Sequence, residues 1–183
     1  MKLSAVREEA ETDMIILGVD PGVATVGFGI IETAGSENNL LRYGAITTPA
    51  KMRLAARLFQ IFRDTSELLD TFKPDAVAIE ELFFNTNHKT GIAVAHGRAA
   101  VILACEEQGI PMYEYTPLQV KKAVAGYGRA EKKQVMEMVK RLLNMETTPK
   151  PDDAADALAI AICHSRFAGS LLNIYGGDVC STI

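Results

Sequence analysis

The sequence predicts an α/β fold: a mixed five-stranded sheet, three antiparallel strands followed by helix-linked strands, with helices on both faces. Three observations predict it. Apolar runs at 14–17 and 26–31 are separated by one turn, and a third extended stretch, 40–47, follows another short turn. Two further short strands, 76–80 and 111–115, each follow a segment with helical length and spacing. The rest of the chain reads as helix. Short turns join antiparallel neighbours, whereas a helical crossover makes the strands that it joins parallel.

Each element has its own signal. Met14, Ile15, Ile16 and Leu17 form an unbroken apolar run, as in a strand buried on both faces, and Asp20-Pro21-Gly22 ends it. Residues 35–39 supply the turn before the third strand. Between 52 and 72, Leu54, Leu58, Ile61, Phe62, Leu68 and Leu69 recur at helical spacing until Lys73-Pro74 stops them. Ala76 to Glu80 is a strand that again ends in an acid, and 82–88 is a loop carrying Phe83 and Phe84. The Ala- and Val-rich segment 89–108 is a largely buried helix closed by Gly109. Thr116-Pro117-Leu118-Gln119 has the N-cap, first-turn proline and third-position Gln of a helix start. Residues 126–129 break that helix, 130–143 form the next, and the last occupies 152–168 after the stiff connector Pro149-Lys150-Pro151. A core domain at 14–168 is thus flanked by an acidic extension, 1–13, expected to be mobile, and by a thin tail, 169–183.

The 183 residues suffice for one domain with a substantial core, and 48% apolar with 23% charged residues is ordinary for a globular protein. No stretch has the length of a membrane span, and residues 1–13 do not read as a signal peptide. Cys105, Cys163 and Cys180 fit no zinc spacing; their odd number leads to the expectation of a reducing cytoplasm. His88, His96 and His164 do not pair at ligand spacing. The net charge of −4 argues against indiscriminate binding to nucleic acid. Yet between 121 and 141 seven basic residues face only Glu131 and Glu137, a local +5 that a polyanion would meet.

The acids carry the chemistry. Asp20 and Glu80 end two strands, and strand ends form the ligand crevice of α/β sheets. The last helix opens with Asp152, Asp153 and Asp156. Converging carboxylates repel one another unless cations intervene, and hard oxygen donors suit Mg²⁺ or Mn²⁺. Two such ions support phosphodiester hydrolysis. Helical spacing alone does not choose between Asp152 and Asp153 as the partner of Asp156. An N-cap role for Asp152, following Pro151, would leave Asp153 for metal. Glu81 competes with Glu80 on spacing, but Glu80 lies nearer the strand.

Residues 14–168 resemble the RuvC family of crossover junction endodeoxyribonucleases, the Holliday junction resolvases with an RNase H-like fold. The resemblance lies in LGVDPG (17–22), AIEELFF (78–84), QVKKAVAGYGRAEKKQV (119–135) and DDAADALAIAICH (152–164), in that order. It implies catalytic, metal-binding carboxylates at Asp20, Glu80, Asp153 and Asp156. It also implies DNA contacts from Phe83, Lys121 and Lys132, with Lys132 in addition a catalytic residue stabilising charge at the cut phosphate. Two Mg²⁺ ions, with Mn²⁺ able to substitute, would serve each site. A cytoplasmic homodimer would nick two opposed strands of a four-way DNA junction in recombination and repair, alongside the branch-migration motor RuvA and RuvB. One departure is visible: Val26 stands where the family usually carries Thr. An actin-like ATPase would need a second phosphate loop and a larger second lobe, and a junction-binding protein without cleavage would not need the carboxylates.

Overall fold

The computed structural model describes residues 13–81 and 88–175. Strands β1 (Met14–Asp20), β2 (Thr25–Ala34) and β3 (Glu37–Thr47) precede α1 (Leu54–Phe72), β4 (Ala76–Glu80) and α2 (His88–Gln108). Then follow β5 (Met112–Tyr115), α3 (Pro117–Ala125), α4 (Lys132–Leu142) and α5 (Asp152–Tyr175). The sheet order is β3-β2-β1-β4-β5. The first three strands are antiparallel, and β4 runs parallel to both β1 and β5. The mixed sheet expected from the turn lengths is the one observed.

Alternation of side chains along the central strands divides the core in two. Ile16, Ile31 and Ala78 face one side, where α3, α4 and α5 contribute Val120, Val135, Leu158 and Ile162. Leu17, Val19, Val77 and Ile79 face the other, against Ile61 and Leu69 of α1 and Val101 of α2. A fully buried Leu or Ile contributes roughly 1.5–3 kcal/mol relative to its exposed state. Val26, at 1% exposure, belongs to this second core, where a hydroxyl would have to find a buried partner.

The helix signals act as expected. Thr116 and Gln119 form a reciprocal capping box around Pro117, and Gly126 ends α3 with a positive φ. Several boundaries differ from expectation. The β2–β3 turn is tighter than residues 35–39, because Glu37, Asn38 and Asn39 pair with β2 on the exposed edge of the sheet. Helix α1 starts at Leu54 rather than 52, as Met52 donates its N–H into a turn at Pro49. Glu131 caps α4, with Gln134 closing its box, so that helix begins two residues later than 130. Helix α5 continues to Tyr175, seven residues past 168, running through Gly169.

Candidate active site

Parallel pairing sets β1 and β4 level: Val19 lies opposite Ile79, so the next residues, Asp20 and Glu80, end adjacent central strands together. Helix α5 crosses this edge of the sheet at close range. A Cβ at Gly27 would overlap the backbone carbonyl of Asp153, and one at Gly18 would overlap that of Ala157. Gly27 is also the β2 partner of Asp20. Three elements therefore bring Asp153 over the strand end that carries Asp20, with Asp156 one turn further along the same helix.

The electrostatics confirm the convergence. Burial pushes the Asp20 carboxyl up from its ordinary 3.8 to about 7, and the charges of Glu80, Asp156 and Asp153 add to the rise against Lys132. Glu80 is likewise raised, first by burial and then by Asp156, while Lys121 and Lys132 oppose. Lys132, at the start of α4, reaches across to α5 and donates to Asp156 Oδ2 at 2.9 Å, with Asp152 Oδ2 at 3.3 Å. Its partial burial would lower its pKa, but Asp156 and then Asp152 more than offset that, and the ammonium is held above its usual range.

Of the expected site residues, Asp20, Glu80, Asp153, Asp156, Lys121 and Lys132 thus share one region. Phe83 and Phe84 lie outside the described residues. Asp152 departs from expectation: it is already inside α5, and Pro151 supplies the carbonyl that accepts from the amides of Ala154 and Ala155. The Asp152 side chain, free of a capping duty, pairs with Lys132 instead. Glu81 is exposed, and its amide extends the β4–β5 ladder to the Tyr115 carbonyl.

The donor set is all carboxylate, with more negative charge than one lysine neutralises, which suits a hard divalent cation. Among the described residues no three His, Cys, Asp or Glu side chains lie together closely enough to hold a metal ion in this arrangement. The positive charge beside Asp156 is that of the Lys132 ammonium. A cation held by Asp20, Glu80, Asp153 and Asp156 would compete with that ion pair.

Two features escape sequence reasoning. A cavity of about 230 Å³ opens between α3, α4 and α5 beside Glu80 and Asp156. Its apolar walls look in sequence like ordinary core positions, and only packing distinguishes them. His164 is buried in α5 and shares a 2.8 Å hydrogen bond with Tyr115 Oη, its pKa lowered to about 4 by burial. A lone histidine in an apolar run offers no hint of that partner.

The chain has clear relatives. A family model described as "Crossover junction endodeoxyribonuclease RuvC" matches residues 16–164. The protein of that description from Alkaliphilus metalliredigens is 56% identical over 153 residues, covering 84% of this chain and 93% of its own. That from Ruminiclostridium cellulolyticum is 53% identical over 161 residues, covering 87% and 97%. The solved structure of T. thermophilus RuvC in complex with a Holliday junction substrate superposes with a TM-score of 0.81 at 36% identity, covering 85% of this chain and 94% of the other.

Proposed function

The chain belongs to the RuvC family of crossover junction endodeoxyribonucleases, and from that premise we propose that it resolves four-way DNA junctions by hydrolysing a phosphodiester bond in each of two opposed strands. The observation that carries this reading is the convergence of Asp20, Glu80, Asp153 and Asp156 beside Lys132 on one edge of the sheet.

Asp20, Glu80, Asp153 and Asp156 would hold two Mg²⁺ ions, for which Mn²⁺ can substitute and which when bound activate water and neutralise the leaving oxygen. The residues of the chain do the rest. Asp20 and Glu80, on strand ends, provide a rigid platform, while α5 sets Asp153 and Asp156 against it through the Gly18 and Gly27 contacts. Lys132 presents an ammonium where negative charge grows on the phosphate, and Lys121 neutralises the neighbouring backbone. Phe83 enters by resemblance alone, as an aromatic stacking against bases at the junction centre.

Two cuts related by symmetry call for two sites, hence a homodimer. Helix α2 offers the face: Ile92, His96, Ala99 and Leu103 are exposed at alternating four- and three-residue spacing, and Ile92 and Leu103 are 55% and 61% exposed. No helix among the described residues is long and apolar enough to cross a membrane. A cytoplasmic nuclease domain from 14 to the end of α5, working with the RuvA and RuvB motor, completes the proposal.

The test is incubation with a synthetic mobile four-way junction, a plain duplex and an RNA–DNA hybrid, each with and without Mg²⁺. Paired, symmetric nicks confined to the junction and dependent on the ion are expected. Cutting of the hybrid alone would overturn the reading.

A further inference from the structure

The cavity between α3, α4 and α5 has a division of labour in its walls. Its deeply buried members are all apolar: Val120, Val135, Ala159 and Ile160 are 8%, 6%, 1% and 2% exposed. Its more exposed members are Pro117 and four charged residues, Lys121, Lys132, Glu80 and Asp156, of which Lys132 and Asp156 are paired. A hydrated ion needs no apolar wall, and an apolar recess is a poor host for ordered water. At about 230 Å³ the space is smaller than the roughly 300–1,000 Å³ of sites that enclose drug-sized molecules. It matches one ring system with apolar faces, attached to something anionic that the lysines hold.

We propose that this cavity receives the unstacked base of a nucleotide adjoining the phosphate that is cut. The proposal rests on the nuclease reading above and names where the substrate strand is gripped. A phosphodiester placed between the acids and Lys132 carries its own nucleosides on either side, so the recess is within reach of one of them. Taking a base out of its stack costs a few kcal/mol in duplex DNA and least where pairing is already interrupted, as at a branch point. The recess would therefore favour cutting at the crossover over cutting in an arm. An apolar peptide side chain has the volume but no use for four charges at the opening, so the occupant is nucleic acid.

Junctions carrying an abasic residue on either side of the cut phosphate test this without altering the protein. Single-turnover cleavage in Mg²⁺ is compared with that of the intact junction and of one with an abasic residue several nucleotides away. The rate is expected to fall at least tenfold for one of the two flanking positions and to stay within twofold for the remote one. Val120→Phe, which fills the recess, should slow the intact junction similarly. Combined with the sensitive abasic position, it should bring no further loss. Val135→Leu serves in the same role if Val120→Phe does not fold. Flanking abasic junctions cut within twofold of the intact rate would overturn the proposal, as would independent, multiplying losses from variant and abasic site. An intact junction left uncut would instead remove the nuclease reading, and this proposal with it.

Discussion

Burial and three acidic neighbours hold Asp20 near 7, which makes this residue costly to the fold as well as useful to it. The sign follows from the direction of the shift. Between the unfolded value of 3.8 and about 7, the folded chain keeps a proton on Asp20 that the unfolded chain has lost, so stability falls as pH rises through that window. Glu80, also raised, acts in the same direction. Thermal melts in a chelating buffer should therefore show Tm declining from pH 4 to 7. Asp20→Asn should flatten much of that slope, raise Tm at pH 8 by a few degrees, and abolish junction cleavage. An unchanged slope in the variant would show that Asp20 is not the strained group. Lys132 makes the complementary case. Because it already neutralises Asp156, removing it should free the carboxylates for cations. Lys132→Ala is expected to tighten Mn²⁺ binding, read by calorimetry, while slowing cleavage by about 10²-fold. Weaker Mn²⁺ binding would mean that the lysine supports the ion rather than competing with it. At this scale the sequence was readable where an acid ends an apolar strand, as at Asp20 and Glu80. It misled at Asp152, since a cap depends on which carbonyl opens the helix, and Pro151 takes that place.

The decisive contact between elements is that of α5 with β1 and β2, where glycines admit the helix backbone. Gly27→Ala would place a methyl group on the carbonyl of Asp153, a backbone atom that cannot rotate aside. Overpacking of this kind costs about 1–3 kcal/mol, but the displacement falls on the helix that carries Asp153 and Asp156, where under the proposed function ångström shifts are worth about 10² in rate. The variant should lose far more cleavage, in single-turnover assays at saturating Mg²⁺, than its melting temperature suggests. Gly44→Ala is the control: its added methyl group would meet only the ring of Phe28, which can give way, so rate and Tm should stay near those of the parent. Equal losses in the two would dissociate the glycine contacts from the site. Strand order and helix starts were legible because turns and caps are local chemistry. The glycine contacts were not, because Gly18 and Gly27 lie on different strands and meet α5 only through long-range packing. The extension of α5 to Tyr175 was missed for a related reason. Gly169 reads as a stop, yet a helix seated on a sheet tolerates a glycine that costs only about 1 kcal/mol.

Taken whole, the molecule buries two apolar faces of its sheet and still leaves a third apolar surface on α2. That helix packs Val101, Ala104 and Cys105 inward, while Ile92 and Leu103 point away from the core. Its lack of one-sided patterning is what a helix shared between two cores would show. The charge distribution agrees: the basic residues of α3 and α4 lie on the opposite face of the sheet, so pairing through α2 leaves them open to DNA. Leu103→Glu puts a charge at the end of the exposed stripe. It should convert a dimer to a monomer in light-scattering measurements with Tm little changed, because Leu103 is 61% exposed in the single chain. On a four-way junction the monomer should nick one strand at a time, and the paired product formed within one binding event should fall by tenfold or more. A variant that stays dimeric, or a monomer that still makes paired cuts, would locate the dimer elsewhere or make it dispensable. Asp20 and Glu80 could be placed at strand ends from the sequence one by one, whereas a second copy is asked for only by the proposed function: one edge of one sheet gathers a single set of acids, and a junction resolved symmetrically has two phosphates to cut.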